Sequence, residues 1–551
     1  MKKTKFLLIA LITLTVLVCF SACTPNSKGN GISNESHPDT VIPEESDISN
    51  EPDSDTVIPG ESETDSTVTP PQTEIDPEIY QHLEFHSNGD GTCSLISIGN
   101  YETEHLAIPA ISPDGDKVTT IGSGAGGCSL NYKTVTIPDG VEIIRDAFFG
   151  CEALEVIYIP KTVKSVKGSF QNSTNIREVH ITDMAAWMNI DFTSDFGNPL
   201  YHSEAVLYLN GNPVIDLVVP DSVMSIGDYA FAGYDHIQSV TATDNSDLMH
   251  IGEKAFYRCP KLMSAVLSAK LSTIDEEAFN NCPRLVEVVN PSKLEIVKGN
   301  SNGYIGYNAI KVETDPDAPS RLVYKDDFVF YNDGENGKIY LVACLKDANE
   351  IVLPSDFNGG EYYINKYCLI PATVEKLVIG KGVKGIKDYG LANMSIKEIV
   401  FESGSVLQYI GNFSFSYCGI ESIQLPAETV VIGAGAFENC RELASVTFEE
   451  NSKLELIGST AFGNCSNLET ITIPKSVKCI GEQVCRGYRI KNITFEDPTG
   501  WSIGTYFDPV PEQSLSNPGT AATMIRQGKM LFKGTQEEYM EFIAQDNLQF
   551  N

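Results

Sequence analysis

The sequence predicts a repeat solenoid, in which short coils stack side by side around a continuous core and form a parallel ladder of strands. From about residue 118 the chain repeats itself every 22 to 25 residues, a period typical of stacked coils. Each copy contains a short alternation of apolar residues, which indicates a half-buried strand. One coil of this size cannot bury its apolar face alone, so the copies must stack.

The N-terminus has the order of a secretory signal over residues 1–22. Three lysines lie within the first five residues, an apolar run covers 6–20, and small residues directly precede Cys23. The apolar run is short for a membrane span. Its end resembles a bacterial lipobox, which implies that Cys23 becomes the lipidated first residue of the mature chain. The alternative is an ordinary secretory signal cleaved near Ala22.

Residues 23–79 are predicted to form a disordered acidic tether. They are rich in Ser, Thr, Pro, Asp and Glu, and the pentapeptide Asp39–Pro43 recurs as Asp55–Pro59. Such a segment cannot bury enough apolar surface to offset its chain entropy. We therefore expect a spacer between the membrane and a folded body.

The net charge of −35 excludes some partners. A charge of this sign repels nucleic acid and anionic membrane surfaces. We therefore expect no nucleic-acid partner, and contact with the membrane only through the N-terminal lipid.

The repeating phrase explains how each coil is built. One clear copy runs from Val223 to Phe231, and others contain Ile251–Cys259 and Ile457–Cys465. A strand with alternating apolar residues ends in Pro, an Ile-Gly pair makes a tight corner, and Ala-Phe fills the interior of the coil.

This phrase, I-G-x-x-A-F-x-x-C-x-x-L-x-x-I-x-I-P-x-x-V, resembles that of the BspA-type leucine-rich-repeat surface proteins of bacteria. The resemblance implies about 11 leucine-rich coils over residues 118–496. It also implies a bacterial cell-surface protein, lipid-anchored to the membrane with its body outside the cell.

Two interruptions of the repeat are expected, at 182–217 and 297–350. Each contains a hairpin pattern, Val206–Leu209 before Asn210-Gly211 and Phe328–Tyr331 before Asn332-Asp333-Gly334. Irregular caps are expected at 80–117 and 497–551, the latter with a terminal helix over 536–545.

The 14 cysteines do not predict disulfides or a metal site. Cys151, Cys259, Cys282, Cys440 and Cys465 each follow an interior Phe by three residues, so they occupy one structural position in different coils. Small apolar cysteines suit such a position as a buried packing ladder. No nucleophile–base pair, metal-ligand spacing or cofactor motif stands out, so we expect neither catalysis nor a cofactor.

The strand ladder predicts a candidate binding face, because each strand presents one outward side chain between two buried ones. We call this set the strand row; its predicted members are Thr136, Tyr158, His180, Thr241, Val266, Val289, Val400, Gln424, Thr447, Thr472 and Thr494. The row is mostly uncharged in a very acidic chain. The preference of Thr and Val for strands is an equally good explanation for any single member.

Three functions remain open. The first, implied by the resemblance, is an adhesin or interaction protein that recognises an extracellular protein. The second is a surface lipoprotein that captures carbohydrate or another substrate, with Tyr158, Trp187 or Trp501 stacking on sugars. The third is an envelope scaffold without an external ligand.

Overall fold

A computed structural model describes residues 75–99, 103–122, 132–201, 203–334, 336–369, 374–487, 490–504, 514–515 and 518–533. All of them belong to the second of two units, residues 66–551. The predicted signal 1–22, the lipidation site Cys23, nearly all of the tether and the helix predicted at 536–545 lie outside these residues. Within the described ranges, no helix combines the length and the apolar character that crossing a bilayer requires.

The first part of the described chain contains twenty strands. They are β1 Leu83–Ser87, β2 Thr92–Ile98, β3 His105–Ala107, β4 Lys117–Ile121, β5 Thr134–Thr136, β6 Ile143–Arg145, β7 Val156–Tyr158, β8 Ser165–Lys167, β9 Glu178–Ile181, β10 Asp191–Phe192, β11 Val206–Leu209, β12 Asn212–Pro213, β13 Asp216–Val219, β14 Ser225–Ile226, β15 Ser239–Ala242, β16 His250–Ile251, β17 Ser264–Val266, β18 Thr273–Ile274, β19 Glu287–Val289 and β20 Lys311–Glu313.

The second part contains nineteen more. They are β21 Leu322–Lys325, β22 Phe328–Asn332, β23 Ile339–Cys344, β24 Glu350–Val352, β25 Tyr362–Ile364, β26 Lys376–Ile379, β27 Val383–Ile386, β28 Glu398–Phe401, β29 Tyr409–Ile410, β30 Ser422–Leu425, β31 Val431–Ile432, β32 Ser445–Phe448, β33 Leu456–Ile457, β34 Thr470–Ile473, β35 Cys479–Ile480, β36 Asn492–Phe495, β37 Trp501–Gly504, β38 Ser514–Leu515 and β39 Met530–Lys533. The α-helices are α1 Met184–Met188 and α2 Pro518–Arg526, and short 3-10 helices cover Pro77–Gln81, Asp195–Gly197 and Asn302–Tyr304.

The strands form two parallel ladders, which confirms the solenoid. The first ladder contains β3-β5-β7-β9-β11, β13-β15-β17-β19-β20, β24-β26-β28-β30-β32 and β34-β36. The second contains β2-β4-β6-β8-β10, β14-β16-β18 and β23-β25-β27-β29-β31-β33-β35. Most coils thus contribute one strand to each ladder, and the described part of the chain makes about 17 turns.

The sequence-based count of about 11 coils is too low, because some coils lack the full phrase. β3 lies in the stretch expected to be a cap, yet it pairs in parallel with β5. β11 and β20 lie within the two expected interruptions, yet they extend the first ladder beside β9 and β19. Parallel backbone pairing needs an extended segment in register and not the interior Phe or Cys by which the copies were counted.

The two interruptions add local structure to these coils. In 182–217, α1 precedes β10, and the predicted hairpin is β11 paired antiparallel with β12. In 297–350, β21, β22 and β23 form an antiparallel meander. β23 then pairs in parallel with β25, so the meander leads back into the second ladder.

Glycine at the coil corner is required by close packing of successive backbones. The amide of Gly458 donates to the carbonyl of Ile432 in the preceding coil at 2.7 Å. A Cβ on Gly458 would lie 2.5 Å from the nitrogen of Ala434. No L side chain fits at that distance without moving the backbone.

Stacked aromatic rings fill the interior of the coils. Phe437 packs between Phe415 and Phe462 with ring centroids 5.1 and 5.5 Å apart and planes within 8° of parallel. Phe256 is stacked in the same way between Phe231 and Phe279. Because the coils are in register, the predicted interior Phe of one coil lies against that of the next.

The cysteines form the predicted buried ladder. The thiol of Cys440 donates to the carbonyl of Phe415 at 3.0 Å, and that of Cys465 donates to Phe437 at 3.1 Å. Ser173, which takes the Cys place in its coil, donates its hydroxyl to Phe148 at 2.6 Å. The position therefore selects a small side chain that can donate to the preceding coil.

Two hydrophobic cores meet near the meander. One extends from Ile79 to Ala309 and the other from Phe328 to Leu531. Arg284 lies buried between them, and its guanidinium donates to the carbonyls of Tyr367 and Cys368 at 3.1 and 2.9 Å. We call the region around Arg284, Tyr367 and Cys368 the junction.

Candidate binding surface

The first ladder carries the strand row, and its register aligns the members. Thr472 lies between buried Ile471 and Ile473 and is paired with Thr494 of the next coil. The exposed members are Val400, Gln424, Thr447, Thr472 and Thr494. The half-buried members are Thr136, Tyr158, His180, Thr241 and Val266.

Val289 does not belong to an accessible face, so its place in the predicted row is wrong. It is only 7% exposed. The segment that follows β20 folds back over β19. There, Ser320 Oγ and the Arg321 amide donate to the carboxylate of buried Glu287 at 2.9 and 2.7 Å. This long-range contact covers β19 and divides the row into two parts.

The N-terminal part of the row is aromatic. The His180 ring lies between Tyr158 and Tyr208, with centroid distances of 4.5 and 4.8 Å and planes within 16° of parallel. Glu178, on the same strand, contacts His180 Nε2 at 2.8 Å and fixes the ring orientation. Burial raises the pKa of the Tyr158 phenol, which therefore stays neutral at physiological pH.

Tyr208 was not among the predicted members, and neither were Val218 and Val352. Tyr208 is the cross-strand partner of His180. Val218 is paired with Thr241 and is 58% exposed, while Val352 is 54% exposed. All three residues lie in coils without the full phrase. The strands of Val218 and Val352 nevertheless end in Pro220 and Pro354, and this signal could have identified both positions.

The C-terminal part of the row widens into a surface without charge. Both outward positions of β30, β32, β34 and β36 carry exposed neutral side chains. We call this set the neutral patch; it consists of Ser422, Gln424, Ser445, Thr447, Thr470, Thr472, Asn492 and Thr494.

Charged side chains border the neutral patch, and they form ion pairs or hydrogen bonds with the neighbouring coil. On one side, the ammonium of Lys491 pairs with Glu469 of the preceding coil. On the other side, carboxylates accept backbone amides of the preceding coil, as Glu449 does from Ala427 at 2.9 Å and Glu496 from Lys475 at 3.0 Å. The acidic residues beside the patch thus hold successive coils together.

Neither Trp can stack on a sugar, which corrects that part of the carbohydrate hypothesis. Trp187 is 1% exposed and its indole nitrogen donates to the carbonyl of Ala230 at 3.0 Å. Trp501 is fully buried, where it meets Phe495 edge-on and Lys533 lies over its ring. Both rings close the core at irregular coils.

The thiols are placed for packing and not for nucleophilic chemistry. Burial raises the pKa of Cys418 and of Cys465 to about 12, so neither is a thiolate at neutral pH. Among the described residues, no group of three or more His, Cys, Asp or Glu side chains is arranged to hold a metal ion.

A polar cavity of about 520 Å³ opens beside the 182–217 stretch. Its lining includes Arg177, Glu204, Tyr201 and Arg258, and the guanidinium of Arg258 lies 5.8 Å from the centroid of the Tyr201 ring. The lining combines two arginines with one glutamate, a mixture that indicates no particular ligand.

Comparison with known proteins gives a family match over most of the chain. A family model described as BspA type leucine rich repeat region, in six copies, matches residues 73–191, 207–313 and 362–488. No curated protein matches the chain.

Several solved structures resemble the chain. The pneumococcal vaccine antigen PcpA is 24% identical over 35% of this chain and 53% of its own, with a TM-score of 0.29. A leucine rich cell surface protein from Faecalibacterium prausnitzii A2-165 is 18% identical over 79% of this chain and 97% of its own, with a TM-score of 0.25. A leucine-rich repeat protein from Bacteroides ovatus ATCC 8483 is 18% identical over 76% of this chain and 98% of its own, with a TM-score of 0.27. The chain thus spans about half of the PcpA structure.

Proposed function

The chain belongs to the BspA-type leucine-rich-repeat family, and on that premise we propose that it is a non-catalytic cell-surface protein that binds an extracellular protein through the strand row, as an adhesin does. The secretory leader and the lipobox-like Cys23 support a lipid-anchored position outside the membrane. The repeat fold supports binding, because ladders of stacked coils offer extended surfaces for recognition.

The neutral patch is the observation that carries this proposal. A protein interface must strip water from the surfaces that it buries, and hydroxyl and amide groups lose water at much lower cost than carboxylates or ammonium groups. Eight adjacent outward positions without a charge are unexpected on a chain with a net charge of −35. The patch therefore favours contact with a partner over mere solubility.

The dimensions of the patch indicate how a partner would sit. Four strands spaced about 4.8 Å apart, with two outward positions some 7 Å apart on each, cover roughly 15 by 7 Å between side-chain origins. A standard interface buries about 800 Å² on each partner. We infer that the neutral patch forms the centre of the interface and that the flanking Lys and Glu side chains form its rim.

Binding of the full chain to an array of matrix proteins, mucins and polysaccharides tests the proposal. We expect saturable binding to a protein, weakened at least tenfold by the double change Thr447→Glu and Thr472→Glu. The matched control is Ala269→Glu with Thr273→Glu, which places two new carboxylates at exposed positions, one in the turn between β17 and β18 and one on β18. Equal losses in both variants would show that added charge alone weakens binding and would contradict the proposal.

Capture of a glycan is the second candidate, supported by the Tyr158–His180–Tyr208 stack. The edges of these half-buried rings and the Glu178 carboxylate combine apolar and hydrogen-bonding surface, as sugar recognition requires. Binding to polysaccharides alone, lost on Tyr158→Ser with Tyr208→Ser and retained in the Thr447/Thr472 variant, would favour this candidate. Binding to nothing on the array by the folded chain would favour a scaffold.

A further inference from the structure

Four lysines gather at the junction from separate stretches of the chain. Lys298 follows β19, Lys338 precedes β23, Lys366 follows β25 and Lys387 follows β27. Lys387 and Lys338 lie over the neighbouring rings of Tyr340 and Tyr363, whose centroids are 5.8 Å apart. The ammonium groups of Lys298, Lys338 and Lys366 each lower the pKa of Lys387, in keeping with one group of charges. We call this set the lysine cluster.

These lysines differ from the lysines of the regular coils. Lys133, Lys164, Lys397, Lys453 and Lys478 each pair with a glutamate of the preceding coil. No member of the lysine cluster forms an ion pair with any carboxylate in the described part of the chain. In a protein with 74 acidic and 39 basic residues, four neighbouring lysines without such a pair are unexpected.

Lys387 occupies the glycine position of its coil corner. Its amide donates to the carbonyl of Ile364 at 2.8 Å, the bond that Gly411 and Gly458 make in their own coils. The corner thus keeps the backbone bond of the regular coils but carries a long cationic side chain in place of a glycine. The ammonium of Lys387 lies 4.7 Å from the centroid of the Tyr340 ring.

Lys366 occupies the position that caps the next corner. In other coils a carboxylate or amide oxygen there accepts an amide of the following coil, as Asp388 does from Asn412 at 2.7 Å and Asp228 from Glu253 at 2.8 Å. Lys366 has no acceptor atom. The equivalent amide, that of Asp388, donates to no acceptor among the described residues, while the Asp388 carboxylate accepts from Asn412 of the next coil.

The surroundings are both cationic and aromatic. The ammonium of Lys338 lies 5.9 Å from the centroid of the half-buried Tyr363 ring, and Tyr307, near Tyr367 and Tyr389, is 51% exposed. Burial and the neighbouring ammonium groups lower the pKa of Lys387 to about 8, although the Asp388 carboxylate opposes them. Burial lowers the pKa of Lys366 in the same way, with Lys298 adding to the effect and Asp388 opposing it. A bound anion would relieve this repulsion.

We propose that the lysine cluster is a second binding site, which takes the carboxylate or sulfate group of an acidic glycan. The oxyanion accepts hydrogen bonds from Lys366, Lys387 and the Asp388 amide, and the sugar lies against Tyr307 and Tyr363. A short acidic glycan is favoured over nucleic acid or a membrane surface because the acidic chain repels extended polyanions, whereas exposed and half-buried aromatic rings beside the cluster suit a sugar. The site follows the second ladder and is independent of the strand row.

The test replaces two lysines of the cluster by the residues that regular coils carry at the same positions. In the full chain, Lys366→Asp with Lys387→Gly returns an acceptor and a glycine to this corner. Because it also removes like-charge repulsion, we expect the double variant to unfold at a higher temperature than the wild type. Lys453→Met with Lys478→Met, which removes two lysines already paired with glutamates, is the matched control.

Calorimetric titration with glucuronate, a chondroitin sulfate disaccharide, inorganic sulfate and a neutral oligosaccharide, at constant ionic strength, measures binding. We expect saturable binding of the acidic sugars, at least tenfold weaker in the Lys366/Lys387 variant and changed less than twofold in the control. Equal affinity in the wild type and the Lys366/Lys387 variant, or no binding of acidic sugars by the wild type, would overturn the site. Inorganic sulfate bound as tightly as the sugars, or binding of a DNA oligonucleotide in preference to them, would overturn the assignment to a glycan.

Discussion

Replacing Phe437 by alanine tests whether the aromatic stack holds the coils together. The ring is fully buried between Phe415 and Phe462. Truncating a buried Phe to Ala costs about 3–5 kcal/mol, of which each lost ring–ring contact accounts for about 0.5–1.5 kcal/mol. Because each coil is stabilised mainly by its neighbours, we expect Phe437→Ala to weaken three successive coils and to lower the free energy of unfolding by about 4 kcal/mol.

Urea unfolding followed by far-ultraviolet circular dichroism measures this change. Tyr417→Ala, in the adjoining coil, is the control, because Tyr417 is 60% exposed and surface changes cost within about 0.5 kcal/mol. Phe437→Leu is expected to cost less than the alanine change, since Leu391 fills the same place in its own coil. A loss below about 1 kcal/mol for Phe437→Ala, or one equal to that of Tyr417→Ala, would refute this explanation of coil stacking.

Three further predictions concern single positions. Gly458→Ala places a Cβ 2.5 Å from the nitrogen of Ala434, so we expect the melting temperature to fall by several degrees, and an unchanged melting temperature would contradict the close approach. The pKa of Lys387 is lowered from 10.5 to about 8, so between these pH values the unfolded chain binds more protons than the folded chain. The stability of the wild type relative to Lys387→Gly should therefore rise as the pH increases from 8 to 10. A difference in stability that does not change with pH would contradict the burial of this charge. Cys465→Ser should lower the free energy of unfolding by at most about 1–2 kcal/mol, because a hydroxyl can replace the thiol as donor to the carbonyl of Phe437. In the wild type, iodoacetamide should label Cys465 only after unfolding, which mass spectrometry measures.

The regular coils could be predicted from the sequence because each one repeats the same local instructions. The Ile-Gly corner, the interior Phe and the Cys position recur at fixed spacing, and the structure places them as predicted, with Gly458, Phe437 and Cys440 in their expected roles. The coils of β11 and β20 were missed because they lack the full phrase, although their strands pair in register and Leu207 and Val312 pack into the core.

The surface could be predicted only in part, because long-range contacts decide which outward positions stay accessible. Val289 satisfies the local strand pattern but lies under a segment more than thirty residues further along the chain. The lysine cluster was not predicted at all. Its members lie in three different coils and a meander turn, and only the folded chain brings Lys298 near Lys387.

Protection of a single reporter in the neutral patch tests the central claim most directly. Because the described cysteines are buried, or half-buried in the case of Cys485, a Thr472→Cys change in the full chain introduces a readily alkylated thiol on the patch, and Thr273→Cys does the same on the second ladder. The alkylation rate is measured by mass spectrometry with and without a saturating amount of the matrix protein that the wild type binds. We predict at least tenfold slower alkylation at position 472 and no change at position 273. Equal rates at position 472 with and without that protein would contradict binding through the strand row.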